Sequence, residues 1–323
     1  MLPITLLLTL GSGIGSADHA GHGHGHTDRG DVRHAYCDSE PYINGVLYRG
    51  GGLVGDGWDG PGLNATTLFF HIENASGDLG AGQRSAIMLA LATWASYVQI
   101  DFVEIGAPNF EHSIDFRFAT GDHCAVEPDE CGDADCPFDG PEGVIAHAGF
   151  PPGVNSLCVD PMAETWAGNV HFDDDDHYET DDDGPGFSMT FVAAHEIGHA
   201  LGLTHNEGGG GPHIMRPSIN SSEGMQAPSA DDIAFLRSGY AAGFGSVTTL
   251  EDSGIWVNGT WNGPENGLPG NPFNSVDEGV EALPPFNDGV TIHVLGGLYP
   301  GSVTIDRPCT ITSEFSTAFI GLK

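Results

Sequence analysis

The chain has 323 residues, a length that suggests about two domains, each able to bury its own core. Its 45 acidic residues stand against 9 basic ones, for a formal charge of −36, and Lys323 is the sole lysine. Such a charge speaks against nucleic acid and anionic membrane as partners, because the electrostatic term repels both, and it suits an exported protein that binds calcium or lives in salty water.

Leu2 to Leu10 form a short apolar run followed by the small residues Gly15, Ser16 and Ala17, which reads as a signal peptide over residues 1–17. The run is too short to span a bilayer, and no later segment is long and apolar enough, so the expectation is a secreted, extracellular protein without membrane insertion. Residues 18–57 interleave His19, His22, His24 and His26 with glycine and then turn Gly- and Asp-rich, the composition of a poorly structured segment or a short propeptide.

Thr67 to Ile72 reads as a strand. Gln83 to Val98 carries Ile87, Leu91, Trp94 and Ala95 at helical spacing, and Ile100 to Ile105 and Ser113 to Phe118 alternate as strands. His71 on the first strand is a packing residue. Three cysteines, Cys124, Cys131 and Cys136, follow in an acidic stretch, where a local disulfide is the expectation for an exported chain. Gly143 to Phe150 reads as an edge strand whose free backbone would pair with an extended peptide.

The chemistry gathers in Val192 to His205, VAAHEIGHALGLTH. On a helix His195 and His199 share one face, so both imidazoles reach one metal ion, and Glu196 lies beside it, where a carboxylate can take a proton from an activated water. Gly202 lets the helix stop and the chain turn back to bring His205 as a third ligand. Three histidines leave the fourth zinc position open, the mark of a catalytic rather than a structural site. Met215 stands ten residues after His205 in HIMRP, and HExxHxxGxxH followed by such a methionine resembles the metzincins, whose methionine turn lies beneath the metal. Ser229 and Asp232 form a capping pair for a further helix.

From about residue 244 the chain turns to Gly, Asn, Pro and β-branched residues. NPFNSVDEGVEAL reads as a short leading helix, with strands at His293, Val303 and Ile311. This part resembles the opening of a right-handed parallel β-helix, so residues 244–323 are expected to be a small all-β module, a candidate for contact with extracellular polysaccharide.

The pattern HExxHxxGxxH with its methionine, the phrases PFDGPEGVIAHAGFPP and VHFDDDDHY, and PSADDIAFLRSGY together resemble the catalytic domain of a metzincin, within that clan a matrixin of the matrix-metalloproteinase type. The resemblance implies an α+β fold over residues 58–243, a mixed twisted sheet with three helices, and a zinc endopeptidase acting on protein or peptide. It implies a structural zinc held by His123, Asp133 (Asp135 being the alternative), His147 and His171, and calcium held by Asp139, Gly140, Asp173 and Asp176. Asp176 replaces the family's glutamate. Ala146, Ala148 and Pro217 would line the substrate cleft. The family's PRCGxPD latency phrase is missing around Cys37, which leaves a thiolate switch there unsupported. The rival expectation is an inactive metzincin scaffold that binds protein or glycan.

Overall fold

The computed structural model describes residues 50–80, 82–121, 138–152, 154, 167–180, 184–208, 213–221, 223–284 and 289–322, and the backbone of residues 34–37, 42–43 and 46–47. In chain order, β1 (His34–Cys37) is followed by a short pair, β2 (Tyr42–Ile43) and β3 (Val46–Leu47). Then come β4 (Thr66–Ile72), α1 (Gly82–Ala95), β5 (Ile100–Glu104) and β6 (Ser113–Ala119). β7 (Gly143–Ala148) and β8 (Val170–Asp173) lead through β9 (Tyr178–Glu179) and β10 (Phe187–Ser188) into α2 (Met189–Ala200). β11 (Ser218–Asn220) precedes α3 (Ala230–Gly239). The other described elements are β12 (Val247–Thr248), α4 (Leu250–Ser253), β13 (Ile255–Val257), α5 (Val276–Glu281), β14 (Thr291–Pro300) and β15 (Thr310–Leu322).

Eight strands make one mixed sheet in the order β11-β1-β7-β8-β6-β4-β5-β12. The alternation of TTLFFHI puts Leu68, Phe70 and Ile72 on the buried face of β4. Helix α1 presents Ile87, Leu91 and Trp94, all fully buried, to the same core. Burial of each such side chain contributes roughly 1.5–3 kcal/mol before chain entropy is counted. The expected succession of strand, helix, strand and strand is thus present, within a residue or so at most ends.

Two expectations for the main sheet and its N-terminal approach need correction. β7 is not an edge strand: it lies between β8, its antiparallel partner, and β1, which pairs with it in parallel at Ala35↔Gly143, Tyr36↔Val144 and Cys37↔Ala146. β1 also pairs with β11 in the antiparallel sense, Ala35↔Ile219, so a piece of the chain's own N-terminal region fills the gap between β7 and β11. Nor are residues 50–57 loose. Val54 N donates to Gly202 O at 2.8 Å and Thr204 N to Gly52 O at 3.0 Å, and Val54 is buried.

The C-terminal module is joined to the main sheet rather than strung behind it. β12 pairs in parallel with β5, Leu250 N donates to Glu104 Oε2 at 2.7 Å, and Glu104 is itself in a buried ion pair with Arg84. Beyond that junction β13, β14 and β15 form a parallel three-stranded sheet over a small separate core that includes Ile255, Val257, Ile292 and Val294. The module is not all-β, because α4 and α5 belong to it. Both helices begin with complete capping boxes, Thr249 with Asp252 and Ser275 with Glu278. Val303, expected in a strand, lies in the irregular link between β14 and β15.

Candidate metal centre

Helix α2 is buried along its whole length; its N-terminus is capped by the adjacent residue and its C-terminus by side chains from elsewhere in the sequence. Ser188 is the N-cap, its Oγ accepting from Phe191 N. At the other end the carbonyls that a helix leaves unpaired are taken by aromatic donors: Trp58 Nε1 to Ala200 O at 2.7 Å and Tyr240 Oη to Leu201 O at 2.9 Å. Trp94 Nε1 donates to Ala194 O at 2.7 Å and ties α1 to the helix beside His195. Gly202, at φ +101°, turns the chain as expected, with no room for a Cβ against Val54 O.

These constraints bring His195, His199 and His205, all buried, to one point. They form the only group among the described residues in which three ligand atoms of His, Cys, Asp or Glu lie within 4.8 Å of one another. His195 Nε2 is 3.0 Å from His199 Nε2 and 3.3 Å from His205 Nε2. His195 Nδ1 meets Ile214 O at 2.6 Å and His199 Nδ1 meets Leu203 O at 2.7 Å. A carbonyl can only accept, so each Nδ1 carries the proton and each Nε2 turns a lone pair inward. Lone pairs that face each other repel unless a cation stands between them. Tetrahedral ligands about 2.05 Å from zinc lie about 3.3 Å apart, close to the separations found, so the residues present fit the ion. Burial lowers the His195 pKa to about 4, and burial with the neighbouring His195 and His205 holds His199 well below its ordinary range; both are neutral ligands near pH 7.

Glu196 is fully buried and, with His195, Ile145, Phe191, Arg216 and Pro217, lines a narrow pocket of about 10 Å³, room for about one water. Arg216 bonds Glu223, Nη1 to Oε1 at 3.1 Å, and lies over the Phe191 ring. Met215 is fully buried under the triad's helix, where a Cβ on Gly198 would run into its sulfur. Gly198, between the two helical histidines, therefore decides how closely the methionine approaches. The sequence reading passed over this residue, although its place inside HExxH was a signal. Trp58 and Tyr240 gave no such signal, because their contacts are long-range.

Of the second histidine set, His147 and His171 are opposite each other on β7 and β8, Nε2 to Nδ1 at 3.0 Å. His123 and Asp133, like Asp135 and the three cysteines of that segment, lie outside the described residues. In the acidic set, Asp173 Oδ1 accepts from Asp175 N at 2.9 Å, Asp176 Oδ1 from Glu142 N at 2.8 Å, and Asp139 Oδ1 from Val144 N at 3.1 Å. Asp173 Oδ2 and Asp176 Oδ2 are buried without a hydrogen-bond partner. Burial, reinforced by the neighbouring carboxylates including Asp139, raises both of these aspartates to about 6. Buried carboxylate oxygens that lack donors and repel one another suit a hard cation such as calcium. Gly140 adopts φ +84° beside them. Ala146 is buried on β7 opposite Cys37 of β1, and Ala148 pairs with Val170.

The family model described as Matrixin matches residues 62–241, more than half of the chain. The chain belongs to the matrixins. Among curated proteins, karilysin of Tannerella forsythia is 36% identical to this matrixin over 164 residues, 50% of this chain and 30% of the relative. Human matrix metalloproteinase-27 is 33% identical over 186 residues, 57% of this chain and 31% of the relative. Rabbit (Oryctolagus cuniculus) interstitial collagenase is 33% identical over 181 residues, 56% and 33%. The chain spans about a third of the length of these relatives. No helix among the described residues of this matrixin is long and apolar enough to cross a membrane.

Proposed function

We propose that this matrixin is a secreted zinc endopeptidase that hydrolyses peptide bonds of proteins. The observation that carries the reading is the convergence of three buried imidazoles, two of them neutral and oriented by backbone carbonyls, next to a buried glutamate. His195, His199 and His205 would hold the ion, which when bound supplies Lewis acidity toward the scissile carbonyl and the attacking water. Glu196 takes the proton from that water and returns it to the leaving amine. The backbone of β7 orients an extended peptide by strand pairing, and the pocket walled by Pro217 and Arg216 admits a small side chain next to the cleaved bond. Glu196→Ala should keep zinc while peptide turnover falls by about 10²–10⁴-fold; undiminished turnover would remove the glutamate from its role.

The occupied strand position supports latency. β1 uses the backbone edges of β7 and β11 that a peptide would need, so residues 18–57 act as a short propeptide, without involvement of a cysteine motif. His147 and His171, with His123 and Asp133, hold a structural zinc, and Asp139, Gly140, Asp173 and Asp176 hold calcium. Residues 244–323 hold the enzyme on extracellular polysaccharide. The scaffold reading, binding without catalysis, is the weaker one, because the base and all three ligands are present.

A further inference from the structure

The outer face of the C-terminal sheet carries a groove of about 350 Å³ lined by Trp256, Asn258, Trp261, Pro269, Pro272, Leu295 and Phe315. We propose that this groove is a subsite for neutral hexopyranose units of a polysaccharide, an inference that rests on the polysaccharide role given above to this module.

The two indoles are fixed before any ligand arrives. Trp256 on β13 is in register with His293 on β14 and stacks on it, ring centroids 4.6 Å apart and planes 18° from parallel. Its Nε1 donates to Ser253 O at 3.1 Å. Trp261 Nε1 donates to Pro264 O at 2.9 Å, and a Cβ on Gly263 would run into the Trp261 ring, so this indole lies against its own turn. Both indole N–H groups are thus consumed internally, and ring faces are what the tryptophans offer.

That distinction selects the ligand. A proline-rich peptide presents carbonyls and is best held by aromatic side chains that donate to them. A pyranose presents a face of C–H groups that packs on an aromatic ring, with hydroxyls around its rim. Asn258 Oδ1 accepts from Thr260 N at 3.1 Å and from Thr260 Oγ1 at 2.8 Å, which leaves the Asn258 Nδ2 donors for such a hydroxyl. None of the lining residues is charged, and residues 244–323 hold nine acidic against two basic side chains, so an anionic glycan is repelled.

Phe315 is the independent observation. It is 90% exposed at a backbone φ of +66°, a conformation that costs a residue with a Cβ of order 1 kcal/mol or more and does nothing here for the core. An aromatic side chain held open at the lip of a tryptophan groove acts as a third stacking surface.

The test is retention of the full chain on insoluble cellulose, chitin and starch, with peptide hydrolysis measured on the same samples after the chain is cut between residues 37 and 50. Wild type should be retained on at least one of them, while Trp261→Ala and Phe315→Gly lose retention at least tenfold and keep peptide hydrolysis. Glycine suits the backbone at position 315, so that variant separates loss of the ring from loss of the fold. Equal retention of both variants would overturn the groove and leave the polysaccharide role of the module standing. Failure of wild type on all three matrices, or preference for a polyproline peptide column, would overturn both, and peptide hydrolysis would still report separately on the protease.

Discussion

The histidine triad and the acidic cluster, proposed above to hold zinc and calcium, are built on opposite logic. In the first, burial keeps His195 and His199 neutral and the backbone carbonyls of Ile214 and Leu203 set their tautomers, so two of the three lone pairs are aimed before an ion arrives. In the second, the carboxylates repel one another and two of their oxygens go without donors; the cluster is uncomfortable until a cation comes. The triad is also tighter, since no three acidic ligand atoms among the described residues come within 4.8 Å as a set. A preorganised site favours precise chemistry, and a repulsive one couples binding to stability.

The comparison is broken most severely by removing a ligand. Zinc at a thousand times its dissociation constant stabilises a fold by about 4 kcal/mol. His199→Ala should abolish the zinc-dependent rise in melting temperature together with all peptide hydrolysis; a variant that still gains stability from zinc would show the triad is not where the ion binds.

The acidic cluster predicts a pH dependence of opposite sign to that of the histidines. Asp173 and Asp176 have their pKa raised to about 6, above the ordinary 3.8, so in calcium-free protein their contribution is present below about pH 4 and is lost as pH rises through 6. For His195, lowered to about 4 from 6.5, stability of the metal-free protein is full above 6.5 and falls as pH drops toward 4. Calcium competes with the protons on the two aspartates, so its affinity should be at least about tenfold weaker at pH 5 than at pH 7, as read by calorimetric titration. A pH-independent affinity would mean that calcium does not bind at these carboxylates.

The smallest effect expected is from Gly198→Ala. The added methyl must displace the Met215 sulfur, at a cost of about 1–3 kcal/mol, without touching a ligand. Urea denaturation of the zinc-loaded protein measures it, and an unchanged midpoint would show that the methionine yields freely.

What could be read in advance was what is local. The spacing of His195, Glu196 and His199, the helix stop at Gly202 and the capping box of Ser229 with Asp232 each depend on a few neighbouring residues, and all three stand as expected. Contacts that close long loops were not legible. Nothing in HAYC announces that β1 will enter the sheet between β7 and β11, since four residues carry too little pattern to fix register. The caps from Trp58 and Tyr240 onto α2 join residues far apart in the chain, and a lone aromatic does not name its partner.

Under the latency proposed above, the insertion of β1 also sets a scale for competition. Cys37 ends the strand, and only thirteen positions later Gly50 O accepts from Thr204 Oγ1 at 2.7 Å. A segment tethered so closely confronts the cleft at an effective concentration of about millimolar, whatever the concentration of the protein in solution. A peptide present at micromolar levels meets a rival roughly a thousand times more abundant, and dilution gives it no advantage. A single cut in the chain between positions 37 and 50 turns that permanent rival into an ordinary solute, which then drifts away.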